Sequence, residues 1–82
     1  MNKYEVYHIA QCPNNGDFDY YKITIESHIT IEVETINLYL SSISDVIFQE
    51  CIADKLSTRF PATITVVGFH QGVKITSTRN SL

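Results

Sequence analysis

Apolar and polar residues alternate in two segments near the start of the chain, and this period of two predicts β-strands. The first segment, residues 3–10, is rich in aromatic and β-branched side chains, and the second covers residues 20–31. The predicted inward-facing residues of the second segment share one parity: Tyr21, Ile23, Ile25, Ile29 and Ile31. Residues 26–28 are a candidate position for a bend or a bulge within it. Between the two segments, residues 12–19 contain Pro, Asn and Gly, which favour turns. We therefore predict two strands joined by a loop.

The period changes to three and four in the middle of the chain, which is typical of helices. In residues 35–44 the apolar side chains with this spacing are Ile36, Tyr39, Leu40 and Ile43. A second apolar stripe, with a spacing of four, follows them: Phe48, Ile52 and Leu56. Ser44 and Asp45 break the first helix and offer an N-cap for the second, which is expected to end before Pro61.

Alternation returns in residues 62–69 and 73–78, with a turn at residues 70–72 between them. Residues 79–82 are expected to fray. The predicted order is strand, strand, helix, helix, strand, strand, within a single α+β domain that covers residues 1–82. Its antiparallel four-stranded sheet is expected to carry both helices on one face.

The length of the chain points to self-assembly. A domain of 82 residues buries a limited core, so that it is only marginally stable by itself. A four-stranded sheet also leaves two edges unpaired. Joining these edges between copies into a closed barrel removes them. We therefore predict a ring-shaped homo-oligomer.

Charge and cysteine content predict the environment of the protein. The formal net charge is −3 and the basic residues are scattered, which argues against a strongly electrostatic nucleic-acid binder. The sequence has two cysteines, no leader-like start and no apolar run of membrane-spanning length. We expect a cytoplasmic protein with reduced thiols and no contact with a membrane.

Cys12 and Asp19 carry the candidate chemistry, because they stand at the two ends of the predicted loop. A thiol beside an acid that moves its proton is a nucleophile with a proton shuttle. Cys51 lies beside the second helical stripe and is predicted to be a core residue. The three histidines lack the spacing of metal ligands, so no metal site is predicted.

Short motifs also occur along the chain in a recognisable order. They are Cys12-Pro13 with Gly16 and Asp19, Glu32 before Leu38-Tyr39-Leu40, Phe48-Gln49-Glu50, and Gly72-Val73-Lys74-Ile75 in the last hairpin. In order and spacing these motifs resemble the QueF family of 7-cyano-7-deazaguanine enzymes. The resemblance implies the tunnelling fold (T-fold), whose enzymes bind purine-like or pterin-like rings at subunit interfaces.

The resemblance implies a role for most of these residues. Cys12 would attack the nitrile carbon of 7-cyano-7-deazaguanine and form a covalent thioimide, while Asp19 would give or take the proton. Glu32 and Glu50 would hold the aminopyrimidinone edge of the substrate, since a carboxylate accepts two N–H bonds. Glu34 is an alternative to Glu32, because both acids lie at the start of the predicted helix. Such a pocket is selective, because a buried carboxylate that loses its donors is destabilised.

Two departures from the family pattern change the implied reaction. The nitrile reductases carry a Glu-Ser-Lys-Ser-x-Lys stretch associated with NADPH, whereas residues 32–37 read Glu-Val-Glu-Thr-Ile-Asn and lack both lysines. Gln49 stands where the family has His, and glutamine does not transfer a proton near neutral pH. Gln49 would instead hydrogen-bond the ring or orient Asp19. His28 or His70 of a neighbouring subunit is a candidate replacement for the missing acid–base group.

The leading hypothesis is therefore the QueF-like branch of the family, which resembles an amidinotransferase. In that branch ammonia is the co-substrate: it captures the thioimide and gives a formamidine, as in archaeosine, and no cofactor is implied. The alternatives are an NADPH-dependent 7-cyano-7-deazaguanine reductase of queuosine biosynthesis and a non-catalytic module that binds 7-deazaguanines. The sequence leaves open whether the substrate is the free base or a tRNA or DNA that carries it.

Overall fold

An antiparallel sheet of four strands is the framework of the chain in a computed structural model that describes residues 1–80. The strands are β1 (Asn2–Gln11), β2 (Phe18–Ser27), β3 (Thr63–His70) and β4 (Val73–Arg79). Two helices, α1 (Val33–Ser42) and α2 (Gln49–Arg59), connect β2 to β3. Each strand pairs with its neighbour in sequence, so that β1 and β4 form the two edges of the sheet. The predicted α+β class and the ββααββ order are confirmed.

One face of the sheet is buried beneath the helices, as the alternation of apolar residues predicts. Strand and helix side chains form a single core: Ala10, Tyr21, Ile23, Ile25, Ile36, Leu40, Ile52, Ala53, Leu56, Ile64 and Val66. The opposite parity leaves large apolar side chains exposed: Tyr7, Ile9, Phe18, Tyr20 and Phe69. Both helices therefore lie on one face, and the other face of the sheet is open in a single chain.

Strand β2 is shorter than predicted, because it ends at Ser27 instead of continuing to Ile31. The Ser27 hydroxyl donates to the carbonyl oxygen of Pro61 at 2.9 Å and accepts from the backbone N–H of Ile29 at 3.2 Å. The N–H of Ile31 then donates to the Tyr4 hydroxyl at 2.9 Å. These bonds turn the chain out of the strand, so that Ile29 is exposed and Ile31 is buried beside β1.

The start of α2 also differs from the prediction, because Phe48 and not Asp45 is the N-cap residue. Residues 45–47 run alongside the end of β1: Gln11 donates to the Asp45 carbonyl at 2.7 Å, and Ile47 donates to the Gln11 carbonyl at 3.1 Å. The Ser44 hydroxyl bonds to the backbone of Val46 within the same segment. The segment is therefore held extended, and the predicted N-cap at residues 44–45 is wrong.

The predicted burial of Phe48 and Cys51 is wrong, and so is the predicted fraying at Arg79. The buried residues of α2 are Gln49, Ile52, Ala53 and Leu56. Cys51 is exposed, and so is Phe48, which precedes the helix. Arg79 does not fray, because its Nε lies 2.6 Å from the Asp54 carboxylate of α2. The predicted fraying at residues 81–82 lies outside the described residues.

Neither helix within residues 1–80 combines the length and the apolar character that a membrane-spanning segment requires.

Candidate active site

The loop after β1 places Cys12 at the same end of the buried face as Asp19. Ala10 pairs with Asp19 across β1 and β2, and Cys12 follows Ala10 by two residues, which keeps it on the inner side. The Cys12 N–H donates to the Asp17 carbonyl at 2.8 Å, and the Gly16 N–H donates to the Cys12 carbonyl at 2.9 Å. Cys12 and Asp19 are both buried. The structure thus brings together the two ends of the loop.

Cys12 lines a pocket at this end of the sheet. The pocket encloses about 180 Å³, and its lining residues are Cys12, Asn14, Phe48, Gln49, Glu50, His70 and Ile75. Phe48 and Ile75 are part-exposed apolar side chains. Glu50 lies in the first turn of α2 and is exposed. We call this cavity the Cys12 pocket; it offers a thiol, a carboxylate and apolar walls suited to a flat polar ring.

Asp19 is joined to the Cys12 pocket through His70. One carboxylate oxygen, Oδ2, lies 3.2 Å from Nδ1 of His70 and accepts a hydrogen bond of 3.3 Å from the Tyr21 hydroxyl. Burial is the main cause that raises the pKa of the Tyr21 phenol, followed by the charge of Asp19, its hydrogen bond and the nearby Cys12. Tyr21 therefore keeps its hydrogen and acts as a donor to Asp19.

Gln49 is buried at the first position of α2 and is fixed to the sheet by its side-chain amide. Its Nε2 has two hydrogens, which it donates to the Val66 and Ile75 carbonyls at 2.9 Å each, and the Ser77 hydroxyl lies 3.2 Å from the same nitrogen. Its Oε1 lies 3.0 Å from Nε2 of His70. The sequence predicts that Gln49 bonds to the ring or orients Asp19. In this structure it contacts His70, which in turn contacts Asp19.

Glu32 is not part of the Cys12 pocket within one chain. It is exposed and immediately precedes α1, next to Ile31, which bonds to Tyr4 near the start of β1. Cys12 follows the opposite end of that strand. At roughly 3.3 Å per residue, the eight positions from Tyr4 to Cys12 span roughly 26 Å. One ligand therefore does not touch Cys12 and Glu32 of the same chain.

The position of His70 differs from the sequence prediction. The sequence predicts a turn at His70 and a role from a neighbouring subunit, but this residue ends β3 and lies in the pocket of its own chain. The alternation of β3, in which Ile64 and Val66 face inward, extends to residues 68 and 70 and indicates this orientation. His28 is exposed near the pairing of Ser27 with Asn2, at the other end of the sheet.

No group of three or more His, Cys, Asp and Glu side chains within residues 1–80 is gathered in a way that would hold a metal ion.

Comparison with known proteins gives one informative match. No protein-family model matches the sequence, and no curated protein matches it significantly. Among solved structures, the chain is similar to the crystal structure of the archaeosine synthase QueF-Like in its apo form, with a TM-score of 0.78 and 15% sequence identity. The match covers 98% of this chain and 91% of that chain. The predicted resemblance to the QueF-like branch is thus confirmed in the fold: this chain has the fold of an archaeosine synthase.

Proposed function

We propose that the protein is an enzyme that acts on the nitrile of 7-cyano-7-deazaguanine, free or within a nucleic acid, and converts it to a formamidine with ammonia. The observation that carries the proposal is the Cys12 pocket. In a fold shared with an archaeosine synthase, a buried thiol lines a cavity that Glu50 and His70 also line, and His70 contacts Asp19.

The chemistry would proceed in two additions. The Cys12 sulfur bonds to the nitrile carbon, the thiol hydrogen is lost, and the nitrile nitrogen gains a hydrogen, which gives a thioimide. Ammonia then adds to the same carbon, the C–S bond breaks, and a hydrogen from the ammonia nitrogen returns to sulfur. The sum is nitrile plus ammonia giving an amidine, with no net oxidation or reduction.

The pocket walls would orient the ring. Glu50 accepts two N–H bonds from the aminopyrimidinone edge, since an ionised carboxylate only accepts. Phe48 and Ile75 provide apolar surface, and Asn14 provides a further polar group. An aromatic side chain such as Phe48 contacts a flat heterocycle favourably through its ring.

A neighbouring copy would complete the site. The Cys12 pocket, at about 180 Å³, is smaller than typical ligand cavities, which begin at roughly 300 Å³. The sheet also has two unpaired edges and an exposed apolar face. We propose a ring-shaped homo-oligomer in which Glu32 of one copy reaches the Cys12 pocket of the next.

Intact-protein mass spectrometry tests the reaction. The chain is incubated with 7-cyano-7-deazaguanine without ammonia or NADPH, and a mass gain equal to the whole nitrile is expected. Cys12→Ala should abolish the gain. Cys51→Ala, which removes the exposed thiol, is the matched control and should retain it. A gain that persists in Cys12→Ala would contradict the assignment.

Adding the co-substrates separately then identifies the reaction. Ammonia should release a formamidine product, whereas consumption of NADPH would establish the reductase alternative. Tight reversible binding with neither an adduct nor turnover would identify a binding module. A parallel incubation with an oligonucleotide that contains the nitrile base distinguishes a free base from a nucleic-acid substrate.

A further inference from the structure

We propose that Gln49 fixes the hydrogen of His70 on Nε2, so that Nδ1 of His70 and the carboxylate of Asp19 share one movable hydrogen that serves Cys12. The role of that hydrogen in the reaction at Cys12 rests on the proposed function, whereas its location between His70 and Asp19 does not. Gln49 and His70 are positioning residues in this scheme, and they act through Asp19.

The orientation of the Gln49 amide follows from its partners. Two of the three groups around Nε2 are the backbone carbonyls of Val66 and Ile75, which only accept hydrogen bonds. A flipped amide would place Oε1 against these two carbonyl oxygens and leave three acceptors in contact without a hydrogen. The NH2 group therefore faces the sheet, and Oε1 faces His70.

The orientation of the Gln49 amide determines which nitrogen of His70 carries the hydrogen. Oε1 of Gln49 has no hydrogen to give, so the 3.0 Å contact to Nε2 of His70 is a hydrogen bond only when Nε2 carries the hydrogen. Gln49 does not exchange this hydrogen, because an amide neither gains nor loses a proton near neutral pH. Nε2 is therefore unavailable as a base, in contrast to a catalytic triad in which Nε2 is the exchanging atom.

The exchanging atom is Nδ1, which lies 3.2 Å from Oδ2 of Asp19. In the proposed scheme one hydrogen occupies this contact during the reaction. It sits on Nδ1, which gives an imidazolium and a carboxylate, or on Asp19, which gives a neutral imidazole and a carboxylic acid. The Tyr21 hydroxyl also donates to Oδ2, at 3.3 Å. Nδ1 of His70 can therefore return a hydrogen to Asp19 after Asp19 has transferred one.

This arrangement balances the two additions of the proposed reaction. In the first, the pair accepts the thiol hydrogen as the S–C bond forms and delivers one hydrogen to the nitrile nitrogen. In the second, it accepts a hydrogen from ammonia as the C–N bond forms and returns one to sulfur as the C–S bond breaks. After each addition, His70 and Asp19 together carry the same number of hydrogens as before it.

The location of the hydrogen is tested by NMR on the unmodified chain labelled with ¹⁵N-histidine. Long-range ¹H–¹⁵N correlations distinguish the two neutral tautomers and the imidazolium. Nε2 of His70 is expected to carry a hydrogen in every species that the spectra detect. A neutral His70 with its hydrogen on Nδ1 would overturn the inference, whether or not the chain reacts with a nitrile.

The use of the hydrogen is tested by the rate at which the thioimide adduct forms. Proton transfer by a positioned side chain typically contributes about 10²-fold or more, so His70→Asn is expected to slow the adduct by about 10²-fold. Lys55→Gln, an exposed residue of α2 that does not line the Cys12 pocket, is the control and should react at the normal rate. Added imidazole should restore part of the rate in His70→Ala, which a purely structural role for His70 would not produce.

The outcomes separate the two proposals. A normal adduct rate in both His70 variants overturns the inference and leaves the proposed function intact. If the unmodified chain forms no adduct, with the free base or within an oligonucleotide, the proposed function fails. The tautomer of His70 then decides the inference by itself.

Discussion

Gly68 lies directly against the ring of Tyr21. A Cβ atom at position 68 would stand 2.5 Å from Cε1 of Tyr21 and 3.0 Å from Oε1 of Gln49. Real Cβ atoms essentially never show the 2.5 Å approach, and 3.0 Å is tighter than most of their contacts. Tyr21, which contacts Asp19, therefore occupies its position because residue 68 has no side chain, and the same absence leaves room for Gln49. The backbone of β3 is thereby part of the site wall.

Gly68→Ala should destabilise the chain by about 1–3 kcal/mol, which is the usual effect of overpacking a filled core. The midpoint and slope of urea unfolding measure this change. Thr76→Ala, at an exposed position of the neighbouring strand β4, is the control. Equal stability of Gly68→Ala and the unmodified chain would show that Tyr21 moves aside freely.

Tyr21 should make the stability of the chain sensitive to alkaline pH. The pKa of its phenol is raised in the folded chain, mainly by burial, above the ordinary value of 10.0. The unfolded chain therefore loses this proton first, and the free energy of unfolding should fall as the pH rises above 10.0. Urea unfolding between pH 9 and pH 11 should show a shallower fall in Tyr21→Phe. Tyr7→Phe, on the exposed face, is expected to keep the original slope.

His8 should contribute a loss of stability on the acidic side. Burial lowers its pKa below the ordinary value of 6.5, and the charge of Asp45 only partly opposes this effect. Its Nε2 is buried without a hydrogen-bond partner. The unfolded chain binds this proton more readily, so the free energy of unfolding should fall as the pH drops below 6.5.

The His8 effect is measured as the difference in unfolding midpoint between pH 7 and pH 5.5. His8→Gln should reduce that difference, whereas His28→Gln, an exposed histidine, should leave it unchanged. An unaltered difference in His8→Gln would assign the acid sensitivity to other groups.

Glu50→Gln should weaken binding of the nitrile ligand more than it affects folding. The amide keeps the size of the side chain but accepts through one oxygen only, and hydrogen bonds to charged groups contribute about 1.5–3 kcal/mol each. Calorimetric titration in a Cys12→Ala background, which prevents the adduct, should show a dissociation constant raised by about 10-fold or more. Glu5→Gln, at an exposed position of β1 outside the Cys12 pocket, is the charge-matched control. Equal affinity of the Glu50 and Glu5 variants would remove Glu50 from the site.

The sequence predicts those features that depend on local pattern. Alternation identifies the inward parity of Ile23 and Ile25, and the turn formers after Cys12 indicate that the loop returns the chain toward Asp19. Features that depend on competition between distant segments were missed. Ser44 caps no helix, because residues 45–47 hydrogen-bond to Gln11, a partner that is remote in sequence. Glu32 matches a motif by spacing, and spacing alone does not show that a whole strand separates it from Cys12.

The amide of Gln49 has an evolutionary consequence. Position 49 and position 70 are coupled, because each side chain is satisfied by the other. The QueF family, which this chain resembles, has histidine at position 49. A histidine there would face His70 and the carbonyls of Val66 and Ile75, and its ring offers fewer N–H hydrogens to these carbonyls than the Gln49 amide does. Gln49→His alone should therefore be deleterious, and a compensating change at His70 should relieve it. Interconversion of the two arrangements then requires paired substitutions, so the identities of these residues should be inherited together.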